Sequence, residues 1–206
     1  MKRTIPLSLF LLGCLILFTT GCPEDLRIGP ATLERAWGYY EEAFQSSNPD
    51  SMIRLAKLEF EDVIAEEPSN AEAYNGLGWC YGLQCSLSTA ISHFNTSIQY
   101  DNSLDDPHAG LALAYSDLPN HQNAVDEATT LIQMDPLYQF AHISSPDDIT
   151  VDDIRLVKAK SLCCLGNFTS ALAEVQILNS SFNCDVSTPE GREALLVEIE
   201  RLRGTV

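Results

Sequence analysis

Seven cysteines and four histidines are the side chains of this 206-residue chain best suited to chemistry, and their spacing speaks against most of it. No Cys/His group has the ligand spacing of a zinc site, and no acidic run has the spacing of an EF-hand. His93, His108, His121 and His142 are scattered, and none stands beside a nucleophile at a telling distance. There is no Gly-rich phosphate loop and no Gly-x-Ser-x-Gly elbow. The acid pairs Asp105-Asp106, Asp147-Asp148 and Asp152-Asp153 fall at predicted helix starts, where negative charge complements the helix dipole. No catalytic residue, metal or cofactor is therefore expected, and the chain does not read as an enzyme. A site built from the acidic loops would require a pocket with convergent carboxylates.

Beyond Cys14 and Cys22, the cysteines are Cys80, Cys85, Cys163, Cys164 and Cys184, an odd number. Cys163 and Cys164 close one predicted helix and Cys184 follows the next, which runs back the other way. A helix length separates them, more than the ~7 Å a disulfide spans. Cys80–Cys85 is the one close pair, and it requires a favourable turn. The cysteines read as small core residues.

Composition limits the partners. The chain is 45% apolar and 20% charged, which suits a single domain of ordinary core size. Its 29 acids against 12 Lys and Arg give a net charge of −17. Such a surface repels phosphate backbones and anionic lipids, so a protein or peptide partner is expected and nucleic acid is not.

The N-terminus carries an export pattern. Lys2 and Arg3 precede a mainly apolar run from Ile5 to Phe18, and small residues end it at Thr19-Thr20-Gly21-Cys22. The run is short for a span, which takes about 20 residues. The Gly-Cys ending resembles a bacterial lipoprotein signal. That resemblance implies removal of residues 1–21, lipidation of Cys22 and a membrane anchor in the cell envelope, facing the periplasm or exterior. Thr19 departs from the family's usual leucine; Leu11-Leu12-Gly13-Cys14 matches locally but leaves a very short apolar run, so Cys14 is the alternative. Residues 22–30 hold two prolines without periodicity and read as a tether.

Tyr81 recurs as Tyr115, Leu77-Gly78 as Leu111-Ala112, and Ala90 as Ala124, each at the same interval. That interval is the 34-residue period of the tetratricopeptide repeat. The Leu-small-x-x-Tyr helix followed by an Ala-x-x-x-apolar helix resembles the same family. The resemblance implies an all-α solenoid of about four helical hairpins over residues 31–206. The repeats are expected at about 31–70, 71–104, 105–138 and 150–183. Gly38 is aligned with Gly78, which gives repeat one six extra residues between its helices. Residues 139–150 break the period as an irregular insert, and Lys158 occupies the slot of Leu77 in repeat four. Residues 188–203 read as a capping helix with Leu195, Leu196, Ile199 and Leu202 apolar.

In tetratricopeptide proteins one face of each first helix lines a concave groove. Carried over by register, that face holds Tyr39 in repeat one and Asn75, Trp79 and Leu83 in repeat two. It continues with Ala109, Leu113 and Asp117 in repeat three, and Leu156, Lys160 and Cys163 in repeat four. Trp79 is either an aromatic anchor for a bound segment or a core residue packed on the next repeat. The Asn/Lys set that clamps a terminal carboxylate in some relatives is not assembled, because Lys160 is the single lysine on the strip. The expectation is a noncatalytic, lipid-anchored adaptor that binds a partner segment in its groove. The alternative is an accessory structural subunit of an envelope secretion or outer-membrane assembly machine.

Overall fold

Side-chain caps write the helix starts into the sequence. Thr32, Asn48, Asn70, Asn167 and Thr188 each accept a hydrogen bond from the backbone N–H three residues on. Pro49, Pro107 and Pro189 stand in first turns, where the missing N–H costs nothing. Thr150 and Asp153 form a reciprocal capping box. The computed structural model describes residues 31–143 and 148–204, so the leader, the tether and Cys22 lie outside the described residues.

Nine helices follow among the described residues: α1 (Leu33–Ala43), α2 (Pro49–Glu66), α3 (Ala71–Leu83), α4 (Leu87–Tyr100), α5 (Asp106–Asp117), α6 (His121–Met134), α7 (Val151–Cys164), α8 (Phe168–Leu178) and α9 (Pro189–Arg203). No described helix is long and apolar enough to cross a membrane. The first eight pack as four hairpins. From the second hairpin on, each first helix also packs on the helix before it, and α1, α3, α5 and α7 adjoin one another along one face. The result is an α-solenoid. One core runs from α1 through the segment between α6 and α7 to Ile154 and Val157 of α7; a second joins the other face of α7 to α8 and α9.

Phenylalanines on the second helices set the stacking distance. The fully buried Phe94 ring lies between Gly78 of its own hairpin and Gly110 of the next. A Cβ at those positions would fall 2.5 and 2.2 Å from the ring, so only glycine fits. Phe60 likewise occupies the space beside Gly76.

Repeat one corrects the alignment through Gly38. That glycine is exposed with open space around it, unlike Gly78. The equivalent of the Trp79–Phe94 edge contact (5.6 Å between centroids) is Trp37–Phe60 (5.0 Å). Trp37 thus matches Trp79, and repeat one carries eight extra residues, not six. Glycine alone in a helical pattern is a poor register mark, because an exposed glycine carries no packing information.

A second regularity joins the two helices of every hairpin. Glu59, His93, Glu127 and Glu174 share one position on the second helices. Glu59 pairs with Arg35, Glu127 with His108 Nδ1 at 2.6 Å, and Glu174 with both Arg155 and Lys158 at 2.9 and 2.7 Å. His93 stacks on Tyr81 at 5.2 Å. Lys158, the departure in repeat four, lies along the hairpin and pairs with Glu174, as Arg35 does with Glu59 in repeat one.

At the C-terminal end, Leu195, Ile199 and Leu202 are buried on α7 and α8, but Leu196 faces outward. The apolar stripe of α9 has i, i+4, i+7 spacing and passes Leu196 by. Gly166 (φ +78°) and Cys85 (φ +56°) make the left-handed turns within their hairpins. Cys80 is a buried free thiol, so the turn at Cys85 does not close a Cys80–Cys85 disulfide. Burial raises the Cys80 pKa and pushes Cys163 up to about 11, which leaves both as protonated thiols.

Candidate functional site: a concave face holding its own chain

The face shared by α1, α3 and α5 is not open. Residues 138–143 and 148–150 fold back onto it as a strap. Phe140 N–H donates to the Ile149 carbonyl at 2.8 Å, and Val151 N–H to the Tyr138 carbonyl at 2.8 Å. Gln139 and Thr150 thereby form an antiparallel bridge that closes the strap at its base. Tyr138, Phe140, Ile143 and Ile149 are all buried. The described strap excludes residues 144–147.

Phe140 is its central residue. Its ring centroid is 4.2 Å from Trp79, 6.1 Å from Trp37 and 6.2 Å from Tyr40. His142 stacks parallel on Trp37 at 3.6 Å. Burying four large apolar side chains at about 1.5–3 kcal/mol each makes the strap part of the core.

A polar cluster borders these rings. His142 Nδ1 lies 3.2 Å from Glu41 Oε1, and His142 Nε2 lies 4.0 Å from Glu72 Oε1. Trp37 Nε1–H donates to Glu72 Oε1 at 3.0 Å, and Tyr138 O–H donates to Asp106 Oδ1 at 2.8 Å. Asn75 Nδ2 approaches Asp106 Oδ2 at 3.5 Å. Burial raises the Glu72 pKa and pushes Asp106 up to about 7, against the hydrogen bond from Tyr138.

The residues expected in the groove divide accordingly. Trp79 and Asn75 lie on the concave side but are 1% and 0% exposed, so as folded they present no surface to a partner. Trp79 Nε1–H has no acceptor among the described residues. Tyr39 lies two residues, about 200° of helix, from the groove residue Trp37, and matches Tyr81 instead. Leu83 lines a different recess of about 170 Å³ with Ala43, Phe44 and Ile53. Leu113 is buried, while half-buried Lys160 adjoins Asp117 and Arg203 in a cleft with room for about one water. Burial raises the Asp117 pKa, and both cations oppose that shift.

Reading the sequence by helix period missed Phe140, His142, Glu72 and Asp106. One signal was available: Glu72 and Asp106 stand one full period apart, the same position in successive repeats.

No family model matches the sequence, and no curated protein matches it. Among solved structures, the chain is similar to TTC0263, a thermophilic TPR protein from Thermus thermophilus. The TM-score is 0.51 at 16% identity, covering 82% of this chain and 83% of that one. A tetratricopeptide repeat protein from Parabacteroides merdae aligns with a TM-score of 0.46 at 14% identity, covering 83% of this chain and 67% of that one. With four stacked hairpins, a regular repeat period and the first of these likenesses, the chain has the tetratricopeptide repeat fold.

Proposed function

We propose that this protein is a noncatalytic interaction adaptor whose concave face takes an extended, aromatic-bearing partner segment in competition with its own strap. The observation that carries this reading is Phe140 on Trp79. The face already accommodates an extended chain with an aromatic side chain seated between first helices. The internal occupant is also imperfect. It leaves the buried Trp79 Nε1–H without an acceptor among the described residues, and a partner's backbone carbonyl there would supply one. In this reading Cys22 carries the lipid that holds the adaptor in the bacterial envelope, with the acidic surface favouring neutral or basic partners.

Photo-crosslinking in the native host tests this. A photoreactive residue replacing Lys160, at the edge of the concave face, is compared in the intact chain and in one whose residues 139–149 are replaced by Gly/Ser. Gain of a crosslinked protein on strap replacement supports the groove reading; an identical set of crosslinks contradicts it. Fatty-acid labelling lost in Cys22→Ala supports the anchor, and labelling lost in Cys14→Ala in its place moves the anchor.

A second reading has its own observation. Ile177, Leu196 and Val197 are exposed on α8 and α9, at 60%, 44% and 63%. An apolar end of this kind suits an accessory subunit that packs side by side in an envelope machine. Crosslinks confined to a probe at Leu196 favour that reading.

A further inference from the structure

We propose that Glu72, Asp106 and His142 form a binding site for one divalent transition-metal ion, held where the strap meets repeats two and three. One ligand atom from each lies within 4.8 Å of the other two, somewhat wider than the ~4.4 Å that bonds of about 2.0–2.2 Å allow at most, so a bound ion draws the three side chains inward. Two carboxylates and one imidazole make a mixed oxygen and nitrogen set, which suits manganese, iron or zinc. The inference does not depend on the groove binding a partner.

The solenoid itself brings the carboxylates together. Glu72 and Asp106 occupy the same position of consecutive repeats, so the repeat places them side by side on the concave face. The strap, which follows repeat three, then brings His142 to them. A scan for local ligand spacing cannot see such a set, which is why the sequence alone gives no metal site.

Each ligand has an orienting partner. A carboxylate only accepts, so His142 donates Nδ1–H to Glu41, and Nε2 is the ring nitrogen on the Glu72 side. A carboxylate behind the far nitrogen of a ligating histidine is the usual outer-shell arrangement. Trp37 fixes the imidazole plane by stacking and holds Glu72 through its N–H. Tyr138 holds Asp106. Among the described residues neither Glu72 nor Asp106 has a Lys or Arg partner.

Asn75 is fully buried and turns its amide nitrogen toward the carboxylates, with Nδ2 at 3.5 Å from Asp106 Oδ2; its Oδ1 has no partner among the described residues. That hydrogen bonding favours the charged, ligating form of both Glu72 and Asp106.

Manganese is the suitable probe, because the thiols of this chain compete for zinc but bind manganese poorly. The chelator-treated full chain, in detergent, is titrated with MnCl₂ and free Mn²⁺ is followed by its EPR signal. The expected result is one ion per chain, with affinity at least tenfold lower in Glu72→Gln and in His142→Ala. Glu127→Gln, at the remote His108 pair, leaves affinity unchanged. Affinity equal in Glu72→Gln, His142→Ala and the parent overturns the proposal. A measurement on the unmutated chain guards against misfolded variants: pulsed EPR of bound Mn²⁺ shows nitrogen coupling from one imidazole. Absence of that coupling, or of saturable binding, overturns the assignment equally.

Discussion

The ring of Phe140 lies 4.2 Å from that of Trp79, centroid to centroid, although the two residues belong to segments far apart in the chain. That contact turns an expected binding surface into core. It also ties the non-repetitive segment between repeats three and four to the cleanest repeat in the chain.

Trp79→Ala is therefore a folding variant. A buried tryptophan truncated to alanine costs about 3–5 kcal/mol, and Phe140→Ala costs a similar amount. Because the two rings touch, the losses are not additive. A double-mutant cycle by chemical denaturation is expected to give a coupling of about 0.5 kcal/mol or more. Additive losses would place the strap away from Trp79.

The corrected register of repeat one separates two glycines. Gly38→Ala puts a methyl into open space in a helix interior and is expected to stabilise by about 0.5–1 kcal/mol. Gly110→Ala drives a methyl into the Phe94 ring and is expected to destabilise by about 1–3 kcal/mol. Thermal melting of the two variants is expected to shift in opposite directions. A loss of stability in Gly38→Ala would restore the alignment of Gly38 with Gly78.

Deleting residues 189–206 removes Leu195, Ile199 and Leu202 from the face of α7 and α8. At about 1.5–3 kcal/mol per buried aliphatic chain, that loss rivals the whole stability of a typical domain. Leu196→Ala, by contrast, is expected to be nearly silent in a melt, because the side chain faces solvent.

Glu198 supplies a pH test. Hydrogen bonds from Arg201 and then Asn179 hold its carboxyl down at about 2, against an ordinary value of 4.5. A depressed folded pKa stabilises above the unfolded value and stops doing so as pH falls through the folded one. The stability difference between the parent and Glu198→Gln is expected to be full above about pH 5. It should shrink on acidification and vanish below about pH 2. A constant difference across that range would mean that charge is not involved.

Repeats two and three were legible because Leu77, Tyr81, Ala90 and their copies obey one period with every packing position filled. The capping helix was legible from its stripe, apart from Leu196, which the neighbours of Leu195 leave outside. Repeat one was misaligned because its small residue at the packing position is Ala36, while Gly38 two residues on imitates the motif. The site was the least legible part. Periodicity puts Trp79 beside the Tyr74, Leu77 and Tyr81 stripe, but it carries no information about a strap that returns from beyond the third repeat and buries it. Phe140 and His142 have no pattern of their own, and only the closed fold gives them partners.

In the proposed function the concave face is a peptide-binding surface occupied by residues 138–143 and 148–150 of its own chain. The most direct test of that claim is a fluorescence-anisotropy titration with a labelled synthetic peptide of residues 137–150. The peptide is titrated with the intact chain and with a chain carrying Gly/Ser in place of 139–149, each checked for helicity by circular dichroism. Saturable binding to the strap-replaced chain, at least tenfold weaker for the intact chain and for a Phe140→Ala peptide, is the expected result. A folded strap-replaced chain that ignores the peptide, or one that binds it no better than the intact chain, contradicts the account.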